Sequence, residues 1–317
     1  MSWYPSDSRP GASGVSRPAL TATPAVPYGR TATPTSSTLG RMPLAPTFPV
    51  PIEAEVVSRT DFPHVMLRAA LGANHLAPVA APSYMLDVGC GSGRWVREMA
   101  SAFPGARVVG LDIATPGEGN SGNPGISGTF GVSQPRVAHT YAFVEHNILE
   151  PFTFVPASFD FTHMRLMSGA LPVAAWPRVV GEMARVTTFG GWVELAEGDL
   201  VHNGGPALEA MQRWALQAWQ QHGLDPRVSS KLGDLLHKLA LTDIHMRTVD
   251  LPIGPHGGRF GELMGADLMA RIEGLRAQII AARIASPEAF AQAQSAIRHE
   301  MQRGEYVQPF HLVCGRR

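Results

Sequence analysis

Cysteine is almost missing from this chain of 317 residues: only Cys90 and Cys314 occur. Two are too few for a disulfide framework or a cysteine zinc site, and they fit a reducing, intracellular compartment. Net charge is missing as well, since 26 basic side chains meet 26 acidic ones. No field would gather nucleic acid or an anionic membrane, so a small-molecule partner is expected. No apolar run approaches the roughly 18 residues that span a bilayer, and no basic start leads into an apolar signal core. The expectation is a soluble cytoplasmic protein, or a nuclear one if it is a eukaryotic regulator. None of the twelve histidines falls in the H-E-x-x-H spacing, so no metal is expected.

Acids are nearly absent from residues 1–51, which hold ten of the 27 prolines, four arginines and a single acid, Asp7. Such a stretch buries too little apolar area to offset its chain entropy and reads as a disordered tail, where a protein partner could attach. Pro18, Pro24, Pro27 and Pro34 would break the amphipathic helix of a transit peptide. Beyond it a helical lid is expected over 52–82, with Val65, Met66, Leu67, Ala70 and Leu71 at helical spacing before Gly72.

From there strands alternate with helices. Strands are predicted at 84–88, 107–111, 141–144, 159–163 and 192–196, and helices at 92–103 and 176–187. That order, with near-continuous apolar strands, predicts a parallel α/β sheet covered on both faces. After Asp199 helices dominate, at about 206–222, 229–240, 260–284 and 287–302, the last opened by Ser286-Pro287. A sixth strand is placed at about 244–250 and a final one from Phe310. Residues 114–138, with six glycines, three serines and three prolines, form a flexible insertion. It is read as a surface loop, with a flap over the cofactor as the alternative.

The chemistry concentrates in "MLDVGCGSGRW", residues 85–95. A ligand in an open parallel sheet sits beyond the C-terminal strand ends. Gly89, Gly91 and Gly93 let it approach the main chain, at the N-terminus of the following helix. A dinucleotide fingerprint needs G-x-G-x-x-G, and its last glycine would fall at Arg94. Asp87, two positions before the turn, suits a cationic group and would sit badly against a pyrophosphate. The next strand ends in "VVGLDI", and Asp112, 19 residues beyond Gly93, can accept both hydroxyls of a ribose. NAD would want the same acid, so a dehydrogenase stays a rival that Arg94 disfavours.

At these residues the chain resembles the class I S-adenosylmethionine-dependent methyltransferases. "LDVGCGSG", "VVGLDI", "FVEHNILEPF" and "FDFTHMRLM" are similar to their first four motifs, and "GGWVEL" to the strand that follows. "ALGANHLAP" at 70–78 and Trp176-Pro177 are similar to the LaeA-like and UMTA-like group of small-molecule methyltransferases. The resemblance covers about 52–200, and 201–317 in architecture. It implies a Rossmann-like, seven-stranded, mostly parallel sheet with the last strand antiparallel, and a helical cap. The core spans 83–200, the cap 201–304 with the sixth strand, and the final strand 305–317.

The resemblance also implies S-adenosylmethionine as cofactor, held by Asp87, Gly89, Cys90, Gly91, Gly93, Asp112, Ile113, Asn147 and Ile148. Cys90 is read as a small filler. Where the family has an acidic pair, this chain has His146-Asn147-Ile148, and the Asn147 oxygen can still accept a hydrogen bond. The expected reaction is methyl transfer to a small apolar or aromatic metabolite at oxygen, nitrogen or carbon. The alternative is a LaeA-like regulator that binds the cofactor and acts through protein partners. Positioning can supply roughly 7–11 kcal/mol of the barrier, and a base is needed only where the nucleophile carries a proton. His163, at the end of the fourth strand, is the candidate base, with Arg165 orienting the acceptor. Glu197, Asp199 and His202 are further candidates.

Overall fold

The computed structural model describes residues 58, 61–114, 116 and 141–317. The expectations for the tail, for the start of the lid and for nearly all of the 114–138 insertion lie outside the described residues. Seven strands form one sheet: β1 (Tyr84–Val88), β2 (Arg107–Asp112), β3 (Tyr141–Glu145), β4 (Phe159–Arg165), β5 (Thr187–Gly198), β6 (Thr242–Ile253) and β7 (Tyr306–Arg316). Their order is β3-β2-β1-β4-β5-β7-β6. The first five pair in parallel, and β7 runs antiparallel between β5 and β6. The order reverses at β1, so the C-terminal ends of β1, β2 and β4 share one rim, where such a sheet takes its ligand.

Side chains alternate across the sheet, and each face has its own cover. One face packs on α1 (Phe62–Leu71), α2 (Arg94–Ala102), α4 (Pro206–Gln220), α6 (Gly258–Ala281) and α7 (Pro287–Met301). The other, with Leu86, Val88, Met164, Val193 and Leu195, packs on α3 (Trp176–Val186) and α5 (Leu232–Lys238). Helix ends follow local chemistry. Pro63 sits in the first turn of α1, and Gly72, at φ 69°, closes that helix. Ser286 Oγ caps α7 by accepting from Ala289 N at 3.1 Å, as the Ser-Pro start signal predicts.

The late strands are longer than their apolar runs predict. β5 begins at Thr187 and not Trp192, because α3 passes directly into the strand. Gly190 and Gly191 lie inside it, where the register against β4 shifts between Phe159 and Phe161. β7 begins at Tyr306 and not Phe310, carried by its ladder to β6, in which Ile253 faces Tyr306. Helix α5 is shorter than predicted, because Pro226–Lys231 forms a 3-10 turn ahead of it. Among the described residues, no helix is long and apolar enough to cross a membrane, and no group of three His, Cys, Asp or Glu is placed to hold a metal.

Candidate functional site

The glycine turn leaves β1 with Gly89, Gly91 and Gly93 at φ 72°, 53° and 72°, the left-handed region that glycine enters without strain. The N–H groups of Gly89 and Cys90 donate to Leu111 O at 2.7 and 3.1 Å, tying the turn to β2. A Cβ on Gly89 would stand 2.5 Å from Met167 Sδ, whereas one on Gly91 would enter open space. Asp112 closes β2 beside it and accepts from Gly91 N at 2.7 Å. Ile113 follows, 71% exposed at the rim. Cys90 turns inward against Gly110, where an added Cβ would lie 2.7 Å from its Sγ. Burial, then Asp87 and Asp112, push its thiol pKa up, so the thiol is a filler and only its backbone belongs to the turn. At the end of β3 the Asn147 Oδ1 accepts from Leu149 N at 3.0 Å. Ile148 is half-buried against the core beneath.

Three expectations need correction here. Asp87 does not open onto the rim: it is 3% exposed, and its Oδ1 accepts from His163 Nδ1 at 2.8 Å. The pair follows from register, because Asp87 and His163 are Cα partners across β1 and β4. The His163 ring is 1% exposed and stacked on Trp95 of α2, with centroids 4.2 Å apart and planes 2° from parallel. Burial lowers its pKa to about 4 against the opposing pull of Asp87. A ring enclosed in this way does not meet an acceptor; its neutral imidazole orients Asp87. Arg165 likewise turns inward, donating from a guanidinium nitrogen to His64 Nδ1. It belongs to the wall between lid and sheet and not to an acceptor-facing surface.

That wall is a polar hub on Glu98 of α2, which the sequence reading missed. Its carboxylate takes His64 Nε2, Asn74 Nδ2 and an Arg68 guanidinium nitrogen, each at 3.0 Å, and Arg94 Nε at 3.1 Å. Burial works against its charge, but these partners outweigh it and hold the carboxyl down to about 2. His64 accepts at Nδ1 and donates at Nε2, so it is the neutral tautomer, and burial lowers its pKa. Asp61, at the start of α1, accepts from the Ser92 hydroxyl in the glycine turn. Glu194 of β5, fully buried, accepts from Leu76 N and Ala77 N at 2.8 and 2.6 Å. Burial raises its pKa to about 7.

Beyond β4 the chain turns sharply through Leu166, whose φ is +59°, a strained value for a branched side chain. Met167, next along, packs on Gly89. Met167 N and Ser168 N donate to the Glu197 carboxylate at 2.6 and 3.1 Å. Leu166 and Ser168 also line a cavity of about 400 Å3 at the ends of β4 and β5. Its walls are apolar, with Phe62 and Met66 from α1, Leu208 and Met211 from α4, and Met264 and Leu268 from α6. A wider groove of about 780 Å3 between α6 and α7 contains none of the expected site residues.

A glycine turn with a strand-end acid and a mostly apolar cavity meet across one loop. Comparison with known proteins places the arrangement. Residues 66–245 match the model of a methyltransferase domain. The chain belongs to this methyltransferase family. It is 30% identical over 216 residues to methyltransferase str3 of Strobilurus tenacellus, covering 65% of this chain and 70% of that protein. It is 26% identical over 219 residues to the secondary metabolism regulator laeA of Aspergillus fumigatus, covering 65% of this chain and 53% of that one. Among solved structures it is similar to phosphoethanolamine N-methyltransferase 2 of Haemonchus contortus in complex with phosphomonomethylethanolamine and S-adenosylhomocysteine. There the identity is 17% and the TM-score 0.45, over 83% of this chain and 61% of that one.

In this methyltransferase the rim gathers Gly89, Gly91, Gly93, Asp112 and Ile113. Asp87, His163 and Arg165 lie beneath it. The residues missed were Glu98, His64, Ser168 and the lid contact of Asp61. One signal was available: two acids, Glu194 and Glu197, in an otherwise apolar strand, where a buried carboxylate must hold something.

Proposed function

We propose that the protein transfers the methyl group of S-adenosylmethionine to a small, apolar or aromatic acceptor. The observation that carries this reading is the cavity of about 400 Å3 sharing the Leu166–Ser168 loop with the glycine turn. The donor fits the residues present. Gly91 offers a floor without a side chain, facing open space. The Asp112 carboxylate keeps lone pairs beyond its bond to Gly91 N for two ribose hydroxyls. Ile113 presents an exposed apolar side chain to a flat ring. Asn147 has given one lone pair to Leu149 N, and its other lone pair and amide N–H groups serve the adenine edge.

When bound, the donor supplies a methyl already activated by a sulfonium, so the protein's task is alignment and exclusion of water. The glycine turn fixes one partner through backbone groups that cannot rotate away. The apolar wall of α1, α4 and α6 desolvates the other. The largely apolar cavity beside the turn supports an enzyme over a regulator acting through partners alone, which needs no such chamber. Calorimetry with S-adenosylmethionine tests the assignment. The parent binds, and Asp112→Ala binds more than about tenfold more weakly, as the loss of one charge-assisted hydrogen bond implies. Equal affinity in the two proteins, or no binding by the parent, refutes it.

A further inference from the structure

We propose that Ser168 and Glu197 form a proton relay, in which the Ser168 hydroxyl takes the proton of an acceptor O–H and hands its own to the Glu197 carboxylate. The inference rests on the methyl-transfer reading and narrows it to acceptors with an acidic hydroxyl, such as a phenol or an enol. Ser168 lines the acceptor cavity and directly follows Met167, which packs on the glycine turn. It therefore stands at the end of the chamber nearest the methyl donor. Behind it Glu197 is 0% exposed and accepts from the N–H groups of Met167 and Ser168 at 2.6 and 3.1 Å, which sets its carboxylate beside the Ser168 side chain, whose pull on the carboxyl opposes burial.

Four lone-pair sites on the carboxylate leave room for these bonds and for an arriving proton. Two of the partners are backbone, so the loop stays held in either protonation state. Of the titratable groups nearby, His311 faces Glu197 across the β5 and β7 register. It is engaged by Thr248 at 2.9 Å and by Asp199 at 3.5 Å. Burial raises Glu197 to about 7 against the pull of its Met167 and Ser168 hydrogen bonds, where a carboxylate accepts protons under neutral conditions. His163, the base expected from sequence, is shut away under Trp95.

The step balances. The acceptor O–H proton moves to Ser168 Oγ as the serine proton moves to Glu197. The oxygen lone pair forms the new C–O bond while the C–S pair returns to sulfur, leaving a neutral thioether, and Glu197 later releases its proton to water.

The test uses the full chain with S-adenosylmethionine and 2-naphthol, in the parent, Ser168→Ala and Glu197→Gln. Methyl ether formation is followed by mass spectrometry across the neutral pH range, donor binding by calorimetry, and carboxyl protonation by infrared difference spectroscopy without acceptor. In the parent, kcat rises with a group titrating at about 7. Both variants lose that limb and about 100-fold or more in kcat, with unchanged donor affinity. Glu194, whose carboxyl burial also raises to about 7, contributes to the infrared carboxyl band in every protein, so the Glu197 component is read as the parent-minus-variant difference, which titrates near neutral pH. Variants that keep the pH limb, or a carboxyl band undiminished in Glu197→Gln, overturn the relay. A parent that binds donor but leaves 2-naphthol unmethylated also overturns it, while the donor assignment stands. A parent that binds no donor refutes the methyl-transfer reading itself.

Discussion

The glycine turn is main chain and one carboxylate, with the N–H groups of Gly89 and Cys90 held by Leu111 O and that of Gly91 by Asp112, and it is braced by the Glu98 hub through Arg94. The cavity beside it is walled mostly by apolar side chains from α1, α4, α6 and the ends of β4 and β5. The first half is therefore rigid and specific to one ligand shape. The second is a surface of exchangeable volume, since cores tolerate apolar replacement when total volume is kept. Among the described residues the two halves meet along the Leu166–Ser168 loop and α1.

The contrast can be broken at three levels. Glu98→Ala acts hardest, leaving His64, Asn74, Arg68 and Arg94 without their common acceptor. A loss of about 3 to 5 kcal/mol is expected, read as a fall in Tm together with weaker donor binding by calorimetry. Unchanged donor affinity would mean that the hub does not brace the turn. Leu268→Ala removes buried volume from the cavity wall and should cost about 2 kcal/mol, the low end for a leucine, because the site adjoins empty space. Donor affinity should stay the same while larger acceptors gain turnover; a change in donor affinity would show the halves to be coupled. Arg271→Ala breaks a pair with Asp267 at 2.8 Å and a bond to Gln308 Oε1 at 3.1 Å at the half-exposed mouth of the cavity. A stability change within about 0.5 kcal/mol is expected, smaller still in salt. A larger loss would place the mouth of the cavity in the structural core.

The same contrast decides what could be read from the chain. Gly89, Gly91, Gly93 and Asp112 are legible because a left-handed turn and a strand-end acid demand particular residue types at a fixed spacing. The alternation of strands and helices follows from the apolar runs, and even the Ser286 cap announces itself locally. The cavity does not, since Met66, Met211 and Leu268 are ordinary helix-face residues until tertiary packing brings their elements together. His163 misled for the same reason. Its position at a strand end was visible, but whether its ring faces solvent or lies under Trp95 depends on α2 folding back across the sheet. Glu98 is spaced four residues from Arg94, as in many solvated helices, and only the lid makes it a hub.

Helix α1 touches both ligand sites within two turns. Asp61 takes the Ser92 hydroxyl of the glycine turn, while Phe62 and Met66 wall the acceptor cavity. A single rigid body thus stands at both entrances. A substitution that shifts α1 therefore reaches the glycine turn and the cavity together.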